Sequence, residues 1–221
     1  MRPLLLGVPT YRRYDLLPGL IASAIASSVC PSRVLVVDNG GQFDAKYAGP
    51  HKTKLEVIRP GRNIGVAAAW NLILDAATTE DDVCIANDDV EVTEDGFDFM
   101  QSALAHHKGR AIVLGEGYSL FLMRRSLLAE AGYFDEGFWP AYAEDDDYQY
   151  RLKLLDVPSV LVPASRFHHK SATIHSYSPQ ERVEFDEHWR ANVLRYRDKW
   201  GGMMGQETLT MPALETLRKS A

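Results

Sequence analysis

Val83-Cys84-Ile85-Ala86-Asn87-Asp88-Asp89 runs from four apolar residues straight into an amide and two acids. Four residues are too few for a helix. A short apolar run that does not alternate with polar residues reads as a strand buried on both faces. Similar runs recur on either side, at residues 4–9, 33–38, 55–58 and 111–114. The run at 33–38 ends in Asp38-Asn39-Gly40-Gly41, a strong turn signal. Between them lie segments of helical spacing, at 16–28, at 64–77 and from an N-cap at Thr93 to about residue 107. This β-α-β-α order predicts an α/β fold, a mainly parallel central sheet flanked by helices on both faces. Ligands of such sheets sit beyond the carboxyl ends of the strands. Pro9-Thr10-Tyr11, Asp38-Asn39-Gly40 and Asn87-Asp88-Asp89 are therefore expected on one edge.

After residue 115 the pattern changes. A strand over 118–123 and a short helix over 125–131, stopped by Gly132, lead into an aromatic loop, Tyr133-Phe134-Asp135-Glu136-Gly137-Phe138-Trp139-Pro140-Ala141-Tyr142. A helix is expected from near Glu144, and one more strand over 160–162. Ser178-Pro179-Gln180-Glu181 has the form of a capping box with proline in the first turn. Phe185, Trp189, Val193, Tyr196 and Trp200 follow at spacings of 4, 4, 3 and 4, an apolar stripe on a helix that Gly201-Gly202 ends. Such a stripe reads as core packing.

The chain has 221 residues and a net charge of −6. Its composition is that of a globular protein and excludes collagen-like, coiled-coil and disordered classes. No segment approaches the ~20 apolar residues of a membrane span. The apolar start is too short for a signal peptide and reads as a first strand. Two cysteines, Cys30 and Cys84, make no disulfide framework and suit a reducing, cytoplasmic setting. Residues 1–150 carry 13 Lys and Arg against 22 Asp and Glu, and residues 151–221 carry 11 against 8. The acidic excess clusters at 80–98 and 144–147. This balance argues against non-specific nucleic-acid binding as the main activity.

Four constellations could carry chemistry. The adjacent carboxylates of Asn87-Asp88-Asp89 repel one another unless a cation sits beside them, and a divalent ion that bridges phosphates would serve. The plain alternative is a turn ahead of a helix. Glu144-Asp145-Asp146-Asp147 gains from a helix dipole on any reading. With Trp139 and Tyr142 close before it, the cluster could also set an acid or base beside a stacking platform for a sugar. His168-His169 could complete an oxygen-rich metal site, or be a surface pair. Arg62-Asn63-Ile64-Gly65 could bring free N–H groups at a helix start to an anion. No phosphate-cradling Gly-x-x-x-x-Gly-Lys-Ser/Thr loop and no Gly-x-Gly-x-x-Gly occurs.

Taken together these segments resemble glycosyltransferase family 2, of GT-A fold, and its rhamnosyltransferase-like branch. The resemblance spans about residues 4–175 in the family's order, and includes Val36-Val37-Asp38-Asn39-Gly40, Arg62-Asn63-Ile64-Gly65, Ala86-Asn87-Asp88-Asp89, Ala143-Glu144-Asp145-Asp146-Asp147 and His168-His169-Lys170-Ser171. It implies that Pro9, Thr10, Tyr11 and Asp38 hold a nucleobase and ribose, with Asn63, Gly65 and Asn71 lining the nucleotide site. Asn87-Asp88-Asp89 is similar to the family's Asp-x-Asp motif, with Asn87 in place of the first acid. On that resemblance Asp89 binds manganese or magnesium and Asp88 contacts the ribose or sugar. His168 is the histidine nearest the metal, with His169 the second choice. Asp145 of the Glu144-Asp145 pair is the general base, and Trp139 and Tyr142 form the acceptor or sugar platform.

The implied function is an inverting, metal-dependent transfer of a sugar from a UDP- or dTDP-linked donor to an acceptor hydroxyl on a glycan, a protein or a hydroxylated nucleic-acid base. The implied organisation is a GT-A catalytic domain over 1–177, with a donor half at 1–114 and an acceptor half at 115–177. The segment 178–221 would pack on it as a helix and tail. The rivals are a nucleotidyltransferase of related architecture and a non-catalytic sugar- or nucleotide-binding module.

Overall fold

The computed structural model describes residues 1–44, 46–48, 55–172 and 177–210. The last eleven residues of the expected tail lie outside them. The strands are β1 (Leu4–Thr10), β2 (Arg33–Asp38), β3 (Leu55–Ile58), β4 (Asp82–Ala86), β5 (Val90–Val92), β6 (Ile112–Gly115), β7 (Gly117–Arg124), β8 (Ser159–Leu161) and β9 (Phe167–His169). The α-helices are α1 (Leu17–Ala26), α2 (Val66–Ala76), α3 (Gly96–His106), α4 (Leu128–Ala131), α5 (Glu144–Leu154) and, in the C-terminal segment, α6 (Pro179–Trp200).

Seven strands form the central sheet in the order β3-β2-β1-β4-β7-β6-β8. β3, β2, β1 and β4 are parallel, and β7 runs antiparallel between β4 and β6. Side chains of a strand alternate between faces. Val34 and Val36 enter one core, against α1 and α3, while Leu35 and Val37 enter the other, against α2 and α5. Cys84 and Ala86 divide from Val83 and Ile85 in the same way. That two-sided burial is why the runs are continuously apolar. The expected parallel sheet with helices on both faces is thus present.

β1 lies so close to α2 that a Cβ on Gly7 would stand 2.2 Å from Ile73 Cγ2. The glycine sets the layer spacing at the middle of the sheet.

Several expectations are corrected. Helix α3 begins at Gly96 without a side-chain cap. Thr93 instead reaches back to the Arg166 carbonyl through its hydroxyl and its N–H, at 2.9 and 3.0 Å, and so ties β5 to the turn before β9. β5 and β9 make a separate two-stranded sheet, each too short to show a period in the sequence. In α6 the capping box forms, with Ser178 accepting from the Glu181 N–H at 3.3 Å and Glu181 accepting from the Ser178 N–H at 2.8 Å. Val193, Tyr196 and Trp200 are buried, but Trp189 is exposed. Asn192, a polar residue, joins the buried face because its amide donates to the carbonyls of Ala141 and Tyr142, at 2.8 and 3.1 Å.

A methyl group at residue 7 must push Ile73 and α2 away from β1. Gly7→Ala is expected to lower stability by about 1–3 kcal/mol, which a thermal or urea unfolding curve will read directly.

Candidate active site

Parallel register brings the strand ends together. Thr10 pairs with Asp38 across β1 and β2. The Thr10 hydroxyl donates to Asp88 Oδ2 at 2.8 Å, linking the ends of β1 and β4. The Asn39 N–H donates to the Thr10 carbonyl at 3.0 Å. The three segments expected on one edge are there, and Pro9 closes β1 against Val37.

The two acids after β4 are buried. Loss of water pushes the Asp88 carboxyl up to about 7, the Thr10 hydrogen bond opposes this, and the Asp89 charge adds to it. Asp89 Oδ2 accepts from the Ala172 N–H at 2.9 Å. Asp89 Oδ1 lies 3.2 Å from His169 Nε2. That hydrogen bond raises the His169 pKa. His168, the histidine expected nearer the acids, is turned outward opposite Glu91. The reason is strand alternation. Phe167 must go into the core, so His169 shares its face and His168 does not.

A carboxylate and an imidazole suit a borderline divalent ion. Among the described residues no group of three or more His, Cys, Asp or Glu is placed to hold a metal. Asp89 and His169 could supply two ligands of such an ion.

Other expected donor-side residues are found at the same edge with different work. Asp38 is buried and accepts from the Tyr14 hydroxyl at 2.6 Å and from the N–H groups of Gly41 and Phe43 at 2.8 and 2.9 Å. It organises the turn after β2. Tyr11 is exposed and, with Asn39, Gly40, Arg62 and Asn63, lines a cavity of about 250 Å³. Two amides at the α2 start are taken within the protein. The Gly65 N–H is taken by Asn63 Oδ1 at 3.0 Å, and the Val66 N–H by the Pro140 carbonyl at 2.8 Å. Gly65 has φ +87°, and a Cβ there would meet Trp139 Cδ1 at 2.9 Å. The aromatic loop thus closes the helix end. Asn71 holds that loop, accepting from the Phe134 N–H at 3.0 Å and donating to the Phe134 carbonyl and to Glu136 Oε1, both at 2.9 Å.

The four acids of α5 divide. Glu144 is buried, and its Oε2 has no hydrogen-bond partner. Burial holds its carboxyl well above the usual range, as it raises that of Asp145, which lies half-buried. Asp146 is exposed. Asp147, with no exposure, accepts from Arg151 Nε at 3.1 Å and Trp200 Nε1 at 2.8 Å, and forms an ion pair with Lys199 Nζ at 2.6 Å. Tyr142 and Ala143, ahead of the helix, take left-handed φ of 77° and 70°. Left-handed backbone at non-glycine residues is costly and clusters at functional sites. Arg12 and Ser171, which flank the strand-end acids, share it. Tyr142 packs edge-on to Phe185 of α6 at 4.7 Å, whereas Trp139 meets His188 at 5.0 Å, so the two aromatics stand in different surroundings.

Sequence reasoning missed Arg13, whose guanidinium feels the charges of Asp88 and Asp89 and donates to the Ala172 carbonyl at 3.0 Å. Two arginines directly after a first strand were the available signal. It also missed Tyr14 and Tyr177. The latter stacks obliquely on Phe185 at 5.7 Å, and nothing in its local sequence marks it.

The profile of Glycosyl transferase family 2 matches residues 6–132, more than half of the chain. The chain belongs to this family. No curated protein matches it in sequence. Among solved structures it is similar to the mannosyltransferase PcManGT from Pyrobaculum calidifontis in complex with GDP-Man and Mn2+, with TM-score 0.60 and 19% identity over 74% of this chain and 55% of that one. It is similar to S. aureus TarS 1-349, with TM-score 0.64 and 17% identity over 97% and 69%. It is also similar to GalNAc-T7 with UDP, GalNAc and Mn2+, with TM-score 0.67 and 11% identity over 76% and 43%. These likenesses show the GT-A fold. The chain spans about half the length of the first of these structures.

The division of labour in α5 is testable without substrate. Asp147→Asn strands Arg151 and Lys199 and is expected to cost about 3–5 kcal/mol. Asp145→Asn removes a carboxylate that burial disfavours and should leave the melting temperature unchanged or raised. Thermal unfolding of the two variants beside wild type checks both.

Proposed function

We propose that the chain is an inverting, metal-dependent glycosyltransferase that moves a sugar from a nucleoside diphosphate sugar to an acceptor hydroxyl. The observation that carries this reading is the buried Asp88-Asp89 pair, with His169 on Asp89, at the edge where β1, β2 and β4 end. Family membership supports it, as do neighbours solved with GDP-Man or UDP together with Mn2+. The rhamnosyltransferase-like branch and a UDP- or dTDP-linked donor rest on the sequence motifs.

On this reading residues 1–114 hold the donor, residues 115–177 the acceptor, and α6 braces the second half. Pro9, Thr10 and Tyr11 bound the nucleotide, with Asn63 and Gly65 beside it. Asp38 and Asn71 act through the loops they hold. Asp88 meets the ribose or sugar. Asp89 and His169 hold a divalent cation, which when bound neutralises charge that develops on the leaving diphosphate.

Asp145 takes the proton of the acceptor hydroxyl. Its raised pKa makes it a stronger base than a solvated aspartate. The acceptor oxygen forms a bond to the anomeric carbon as the bond to the diphosphate oxygen breaks on the opposite face, which inverts that carbon. Burial raises the Glu144 carboxyl beside Asp145, which favours its neutral form and opposes a second negative charge there. Tyr142 bounds the acceptor side. The low cysteine count, two in 221 residues, supports a cytoplasmic location. No helix among the described residues is long and apolar enough to cross a membrane.

The test is release of nucleoside diphosphate from a panel of nucleotide-sugars, with and without manganese. Wild type should hydrolyse one donor slowly in a metal-dependent way. Asp145→Asn should lower transfer by about 10²–10⁴-fold and keep donor binding. Asp89→Asn should lose the metal dependence. Release of pyrophosphate would move the assignment to a nucleotidyltransferase. Equal inertness of wild type and Asp145→Asn with every donor would leave a binding module.

A further inference from the structure

A groove of about 770 Å³ runs along the outward side of α2. Its size is that of a small-molecule site. Ala68 and Leu72, one turn apart, form an apolar floor. Trp139 covers one side and is 44% exposed.

The indole is held where it stands. Its Nε1 donates to the Asn63 carbonyl at 3.4 Å, its edge lies against Gly65, and the His188 ring meets it at 89° and 5.0 Å. A fixed, half-open aromatic face over a polar groove suits the C–H face of a pyranose ring.

Two carboxylates also line the groove. Glu136 is oriented by the Asn71 amide at 2.9 Å. Asp75 is oriented by the Tyr133 hydroxyl and by Arg125 at 3.8 Å. Carboxylates with free lone pairs accept from vicinal hydroxyls in charge-assisted hydrogen bonds. Against them stands one guanidinium in the lining, that of Arg62. With Arg125 paired to Asp75, the groove carries no excess of positive charge to draw phosphate, sulfate or nucleic-acid ligands.

We infer that this groove binds a neutral saccharide, the part of a glycan acceptor beyond the sugar that reacts. The inference rests on the glycosyltransferase reading and narrows its acceptor from glycan, protein or nucleic acid to glycan. Two contacts join the groove to the site. Arg62 and Asn63 line both this groove and the smaller cavity at Tyr11. The loop that carries Trp139 runs on through Tyr142 and Ala143 into Glu144 and Asp145. A saccharide on the groove therefore lies beside the donor cavity and on the segment that leads to the base.

The experiment uses the intact chain on an array of neutral, sulfated and phosphorylated glycans, followed by titration of the best neutral glycan. Donor binding is measured on the same preparation as a separate readout. A neutral glycan should be retained over the anionic ones. Trp139→Ala should weaken it about tenfold, the scale of a lost stacking contact. Trp139→Phe, which keeps a ring, should recover most of that loss, and Glu136→Gln should weaken binding severalfold. Should Trp139→Ala fail to fold, Glu136→Gln and Asp75→Asn carry the test. Preference for anionic glycans, retention that ignores all these substitutions, or no glycan retained by a chain that still binds donor would each overturn the inference. Loss of donor binding with glycan retention intact would instead count against the proposed reaction and leave the groove standing.

Discussion

The carboxylate of Asp147 has no contact with water, so it must be neutralised where it sits. Arg151, one turn along the same helix, and Lys199, more than fifty residues later, supply the charge. Each cation then has donors left over, and these go to the loop before the helix. Arg151 reaches the carbonyls of Ala131 and Tyr133 at 2.5 and 2.8 Å, and Lys199 reaches Asp135 at 2.8 Å. One buried charge therefore ties the start of the aromatic loop to the helix that starts with Glu144 and Asp145. It also makes α6 part of the wall of the site. An unbalanced charge at this depth would cost several kcal/mol, so the arrangement is bound to hold as a unit.

That unit explains how the left-handed Tyr142 and Ala143 persist. Each such residue costs of order 1 kcal/mol or more. The cost is offset by what surrounds the pair, since Asn192 donates to the carbonyls of Ala141 and Tyr142 and Phe138 is buried beneath Lys199 and Arg195. The kinked approach turns the chain so that Glu144 enters the protein while Asp145 stays half-open and Asp146 faces water. A smooth entry into the helix would change which acids are dry.

The parallel sheet was legible because burial on both faces leaves a simple mark, a short run with no polar residue. The same logic located the site edge, since strand direction follows from the crossovers. What the sequence could not carry was any feature set by depth rather than by spacing. Asp145, Asp146 and Asp147 are identical letters in a row, yet one is half-open, one exposed and one sealed in an ion network. His168 and His169 differ by which of them shares a face with Phe167, and a three-residue strand shows no period to reveal it. Trp189 falls on the apolar stripe of α6, yet stands exposed between a half-buried Phe185 and a buried Val193. Gly65 reads as room for an anion, and the room is filled by Trp139 and Pro140 of a loop about seventy residues away. In each case the residue type was informative and its neighbour was not foreseeable.

The two sides of the site are held by unlike forces. On the strand-end side the links are backbone register and short neutral or singly charged hydrogen bonds, such as Thr10 to Asp88 and the turn around Asp38. They are local to strands that the whole core holds. On the aromatic-loop side the links are buried charges donated by a C-terminal helix. Substitutions far apart and without shared partners act independently, and these two networks share no side chain. The two sides meet at the surface, where Arg62 and Asn63 line both cavities and Arg12 pairs with Glu181 of α6 at 3.2 Å, so the register that gathers Thr10, Asp38 and Asp88 rests on the core rather than on the loop. On the proposed reading, a fold arranged in this way would keep the strand-end edge for the donor, and the groove beside Trp139 would select the molecule brought to it.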